Sequence, residues 1–138
     1  MPNPSPTLVI SASNIRAGGG VTHLRELLAH AEPERYGFGK VIVWAPVRTL
    51  AALEDRPWLE KRTHPLINGG LAARLLWQLF VRDSVVRQEC DVLFIPGATV
   101  SRFRPFVSMA QNLLPFDERA ISEMPWGQRL RMYLLRRS

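Results

Sequence analysis

Three runs of consecutive apolar residues, Leu8-Val9-Ile10, Val41-Ile42-Val43-Trp44 and Val92-Leu93-Phe94-Ile95, constrain the fold of this chain more than any other feature. Strands buried on both faces read as unbroken apolar runs, whereas strands with one wet face alternate. The first strand is expected over Thr7 to Ser13. Val21, Leu24, Leu27 and Leu28 then recur at helical spacing up to His30, and Pro46 stops the second run. Thr49 to Glu54 reads as a short helix and Glu60 to His64 as a polar edge strand. From Leu71 to about Glu89 the spacing predicts a long helix, with Leu71, Leu75, Leu76, Leu79, Phe80 and Val86 on one apolar face, the stripe by which a surface helix meets its core. Asp91 to Ile95 and Phe106 to Ala110 are further strands, and helical stretches follow Pro115 and Pro125.

Strands that alternate with helices require right-handed crossovers and a parallel sheet. The expected fold class is therefore α/β: an open, mainly parallel, Rossmann-like sheet with helices on both faces. In such sheets ligands gather at the carboxyl ends of the strands, where the strand order reverses. That rule brings together the loops after Ser13, Ile95 and Ala110.

Composition removes several function classes. With 138 residues, 46 % of them apolar and 9 % aromatic, the chain has enough for one domain and one core. The apolar stretch from Leu71 to Val86 is broken by Arg74, Gln78, Arg82 and Asp83, short of the roughly 20 apolar residues of a membrane span. Met1 to Pro6 has neither the basic nor the apolar region of a secretory signal. Cys90 is the only cysteine, which excludes an internal disulfide and a cysteine-built metal site and suits a reducing cytoplasm. The net charge of +6 comes almost wholly from arginine, without the zinc spacing or aromatic interleaving of a nucleic-acid binder. Arg129, Arg131, Arg136 and Arg137 lie beside Trp126, Leu130, Tyr133, Leu134 and Leu135, a pattern open to two readings: an ordinary surface helix, or an amphipathic one at the inner face of a membrane. With no return strand before Ser138, residues 1–138 are expected to form a single domain that is incomplete at its C-terminus, with a second domain absent.

The loop between the first strand and its helix contains Gly18-Gly19-Gly20. Glycines at a helix start allow close approach of a ligand, and the free N–H groups of the first turn offer donors to an anion such as phosphate. The same glycines also suit a turn that merely needs a positive φ. A dinucleotide fingerprint would need a glycine where His23 stands and an acid at the end of the second strand, where Trp44-Ala45-Pro46 occurs. A Walker loop would need a lysine here. His23, His30 and His64 lack metal-ligand spacing, so no metal is expected. Ser11, Ser13, Thr99, Ser101 and Ser108 lack a nucleophile elbow, and Asp117-Glu118 after Pro115-Phe116 reads as a helix start.

Taken in order, Ala12-Ser13-Asn14-Ile15-Arg16-Ala17-Gly18-Gly19-Gly20-Val21-Thr22-His23-Leu24, Asp91-Val92-Leu93-Phe94-Ile95-Pro96-Gly97 and Gln111-Asn112-Leu113-Leu114-Pro115-Phe116 resemble the N-terminal domain of family-4-type glycosyltransferases, across nearly the whole chain. The resemblance implies the GT-B architecture, two Rossmann-like domains with the active site between them. The front domain chiefly holds a glycan, lipid or small-molecule acceptor, and the rear domain a nucleotide-sugar donor, with neither a cofactor nor a metal. By that resemblance Gly18, Gly19 and Gly20, with the adjacent Val21 and Thr22, border the donor phosphates; His23, read from its place just after the loop, is either a sugar or acceptor contact or, more ordinarily, a partly exposed structural residue. Many members carry a His-Asp pair where this chain has Gln111-Asn112. Gln and Asn can hydrogen-bond a sugar hydroxyl but exchange no proton at neutral pH, so no catalytic acid or base is identified. The rear domain's donor-contacting glutamates would lie beyond Ser138, leaving this part alone inactive. Two alternatives stay open: a phosphate-binding module without turnover, and a domain that docks on a membrane or a partner.

Overall fold

The computed structural model describes residues 4–97, 101–109, 122–123 and 125–137. Five strands, β1 (Thr7–Ser11), β2 (Lys40–Trp44), β3 (Leu59–Arg62), β4 (Val92–Pro96) and β5 (Phe106–Met109), form one open sheet in the order β3-β2-β1-β4-β5. Every pairing is parallel. The chain winds outward from β1 in both directions, so the strand order reverses between β1 and β4. All five strands fall where the apolar runs and the polar edge segment predict them.

Side chains alternate across the sheet and build two cores. On one face Ile10, Ala12, Val41 and Val43 pack with Leu24 and Leu28 of helix α1 (Gly19–His30). On the other, Val9, Ile42, Trp44, Leu93 and Ile95 pack with Ile67, Trp77, Val86 and Phe103. Fully burying one such aliphatic side chain stabilises by about 1.5–3 kcal/mol. Edge strand β3 is charged: Glu60 pairs with both Lys40 and Arg62, Arg62 also reaches Glu89, and its guanidinium lies 5.8 Å from the Trp44 ring centre. Charge on an edge strand discourages pairing with another chain.

The long helix is present, but its expected buried face is reversed. After the short helices α2 (Val47–Ala51) and α3 (Pro65–Asn68) come α4 (Leu71–Leu76), a π turn (Trp77–Val81) and α5 (Arg82–Val86). The row read as core-facing points outward: Leu79 is 63 % and Phe80 72 % exposed, and Leu71, Leu75 and Leu76 are exposed too. Trp77, Arg82 and Val86 meet the sheet instead, at 0–2 % exposure. Leu71 and Leu75 already lie on the side of α4 away from Trp77, and beyond Trp77 the helix phase is reset by the π turn. That turn separates Trp77 from the next inward residue by five positions rather than four, so Arg82 turns inward. Of the six expected residues, only Val86 is buried.

Helix α6 (Trp126–Arg137) exposes Trp126, Leu130 and Tyr133. Among the described residues no helix is long and apolar enough to cross a membrane.

Candidate functional site

The glycine loop leaves the carboxyl end of β1 and is tied down before it reaches Gly18. The Ile15 amide donates to the Ala12 carbonyl at 3.0 Å, and the buried Thr49 hydroxyl donates to the Ile15 carbonyl. Arg16 donates through Nη2 to the carbonyls of Ile67 (3.0 Å) and Gly69 (2.9 Å) at the end of α3, so a cation satisfies carbonyls that a helix end leaves without partners. The loop is thus anchored to two neighbouring elements, while its glycines stay at the surface.

Each glycine stands there for a different reason. Gly18 caps α1 with φ +68°, a conformation that side chains rarely adopt. Gly19 and Gly20 have no positive φ. A Cβ on Gly20 would touch Ile15 Cγ2 at an ordinary 3.4 Å, and one on Gly19 would meet nothing within 4 Å. The fold therefore requires glycine at 18 but not at 19. The amides of Val21 and Thr22 donate to the Gly18 carbonyl at 3.2 and 3.3 Å. Those of Gly19 and Gly20 have no acceptor among the described residues. Of the five expected phosphate contacts, the open donors are thus the amides of the three glycines, since that of Gly18 likewise has no acceptor among the described residues. Thr22 and His23 are exposed on the first turn of α1, and Val21 is half-buried. Gln111 and Asn112 lie outside the described residues, as do the side chains of Arg131, Arg136 and Arg137; Arg129 is exposed and donates to the Ser122 carbonyl.

Between the carboxyl ends of β1 and β4 is a polar cavity of about 190 Å³, lined by Ser11, Ser13, Asn14, Gln78, Arg82 and the Ile95–Gly97 turn. Gly97 turns there with φ +121°. Arg82 donates from Nε to Asp83 Oδ1 at 3.0 Å. Asp83 in turn accepts from the Ser101 hydroxyl at 3.0 Å and the Arg102 amide at 2.7 Å, fastening the start of β5's approach to α5. Burial pushes the Asp83 carboxyl up, but the Arg102 amide, the Arg82 guanidinium and the Ser101 hydroxyl outweigh it, and its pKa lies below the ordinary value. Sequence reading brought the loops after Ser13 and Ile95 together here, and both line the cavity, but it did not bring Arg82 and Gln78 to them. Arg82 within a leucine-rich helix reads as a solvated charge, and no local signal announces a π turn. The two serines closing an otherwise apolar strand were the available clue.

A larger cavity of about 450 Å³ lies at the opposite, amino end of β1 and β2, against the end of α1, walled by Leu8, Leu28, Phe38, Val41 and Trp58. It is mainly apolar and away from the strand ends where open α/β sheets bind ligands. At the carboxyl end of β2, Trp44 is buried with its ring centre 5.3 Å from that of Trp77, so an apolar ring stands where a dinucleotide site places an acid. Among the described residues no group of three His, Cys, Asp or Glu side chains is placed to hold a metal ion. Comparison with known protein families, characterised proteins and solved structures finds no match.

Proposed function

We propose that the chain is the acceptor-side domain of a glycosyltransferase that moves a glycosyl unit from a nucleotide-sugar to an acceptor with retention of configuration. The observation that supports this reading best is Gly19: neither backbone conformation nor packing calls for glycine there, and its amide lacks a partner at the start of a 12-residue helix. A residue that the fold does not need, in the loop that a ligand would approach, is what a close backbone–phosphate contact requires. The order of the three motif segments supports the glycosyltransferase assignment in particular.

In this reading the Gly19 and Gly20 amides and the positive end of α1 stabilise the negative charge that grows on the leaving diphosphate as the glycosidic bond breaks. Gln111 and Asn112 orient hydroxyls of sugar or acceptor and move no proton. The test is to incubate the full-length gene product with a panel of nucleotide-sugars and follow release of nucleoside diphosphate. Turnover that falls roughly a hundredfold in Gly19→Val, the scale of losing an oxyanion donor, with circular dichroism unchanged, is the expected result. Unchanged turnover in the variant would remove the loop from the mechanism. Phosphate-dependent thermal stabilisation without turnover would leave a binding module instead.

A further inference from the structure

We propose that the cavity between β1 and β4 is a pocket for a small oxyanion, a phosphate or carboxylate group, held by Ser11, Ser13, Gln78 and Arg82. Beside the Ile95–Gly97 turn, its lining offers two hydroxyls, two side-chain amides and a guanidinium, with no carboxylate among the described residues that line it. Hydroxyl and side-chain amide donors match negatively charged oxygen, and the Arg82 guanidinium, held in place by its ion pair with Asp83, stands at the same wall.

Two independent features indicate that a ligand belongs here. The Ser11 side chain lines the cavity with the residue only 3 % exposed, and its Oγ has no hydrogen-bond partner. Buried hydroxyls are nearly always paired, so an orphan facing a cavity calls for a partner within it. Arg82, at 1 % exposure, reaches the cavity only because the π turn resets the helix phase, and such turns recur at functional sites. The volume of about 190 Å³ corresponds to roughly six waters at the space each occupies in the liquid. It is below the about 300–1,000 Å³ of pockets that enclose a whole drug-sized ligand. The pocket thus takes one charged group, as a free ion or as part of a larger molecule, with exposed Asn14 and half-buried Gln78 along its wall.

This pocket is separate from the three glycines, although Ser13 and Asn14 at the start of their loop line it. Ser11 and Arg82 belong to the sheet face that carries Trp77, whereas Gly18 to Gly20 open α1 on the other face. The inference therefore stands whether or not a sugar is transferred.

The experiment uses the intact chain at constant ionic strength in sodium chloride, titrated separately with inorganic phosphate and with acetate, while the amide resonances of Ser11, Gly97 and Gly19 are followed by NMR. Saturable shifts at Ser11 and Gly97 are expected for at least one anion, with affinity about tenfold weaker in Ser11→Ala and in Gln78→Ala, as for loss of a hydrogen bond to a charged group, and retained in Gly19→Ala. Gln78 is only half-buried, so its variant keeps the test open if Ser11→Ala disturbs β1. Arg82 is left in place, because removing it would strip Asp83 of a partner. A response to phosphate alone assigns a phosphoryl group, and one to acetate alone a carboxylate. No saturable shift with either anion, or equal affinity in wild type and both variants, overturns the proposal.

Discussion

Replacing Trp77 and Leu79 by alanine, one at a time, tests which face of the 71–86 helix holds the domain together. Trp77 is 0 % exposed and packs against Trp44 and, at 5.0 Å between ring centres, His64. Deleting a buried aromatic of this size costs about 3–5 kcal/mol through lost transfer energy and the cavity left behind. Leu79 is 63 % exposed. Full burial of leucine stabilises by about 1.5–3 kcal/mol, so the covered third or so contributes at most about 1 kcal/mol, and alanine is at least as good a helix former. Had the leucine row been the buried stripe, Leu79→Ala would cost about 2–5 kcal/mol instead. Urea unfolding followed by circular dichroism separates these values, with Trp77→Phe as a milder companion should Trp77→Ala unfold in water. A loss above about 2 kcal/mol for Leu79→Ala with less than about 1 kcal/mol for Trp77→Ala would refute the inverted helix.

Three further outcomes follow from the geometry. Gly19→Ala should raise stability by about 0.4–1 kcal/mol, since the site accepts a Cβ and the unfolded chain loses freedom, while lowering glycosyl transfer; a thermal melt and a turnover assay on the same samples read both. The Asp83 pKa is depressed by folding, so its contribution is present above the unfolded value near pH 4 and lost as pH falls through the folded one; urea midpoints between pH 6 and pH 3 should drop less for Asp83→Asn than for wild type. Burial pushes the Cys90 thiol up to about 11, so iodoacetamide at pH 8 should label it far more slowly than it labels the urea-unfolded chain.

Most of the sheet was legible because its signal is local. Val41-Ile42-Val43-Trp44 must be buried on both faces wherever it sits, and the alternation of strands and helices then permits few topologies. The glycine loop was legible for the same reason, as three glycines between a strand and a helix have few uses. What the sequence hid was phase. The spacing of Leu71, Leu75 and Leu79 defines a real apolar face, yet periodicity does not say which side of a helix meets the sheet when Trp77 and Val86 compete for it. Trp77 takes the inward side from α4 onward, and the π turn after it carries Arg82 and Val86 to that same side. Arg82's place in the cavity at the ends of β1 and β4 was hidden by the same step. Likewise, the distinction among Gly18, Gly19 and Gly20 required dihedrals and neighbouring atoms that three identical letters do not contain.

The most direct test of the account is an NMR titration of the full-length protein with nucleotide-sugars, following the backbone amides around the sheet. Saturable shifts at Gly19 and Gly20, with the amides of Phe38 and Trp58 at the opposite end unmoved, are the predicted result. Shifts confined to Phe38, Trp58 and their neighbours, or no shift at the glycines with any nucleotide-sugar, would contradict it.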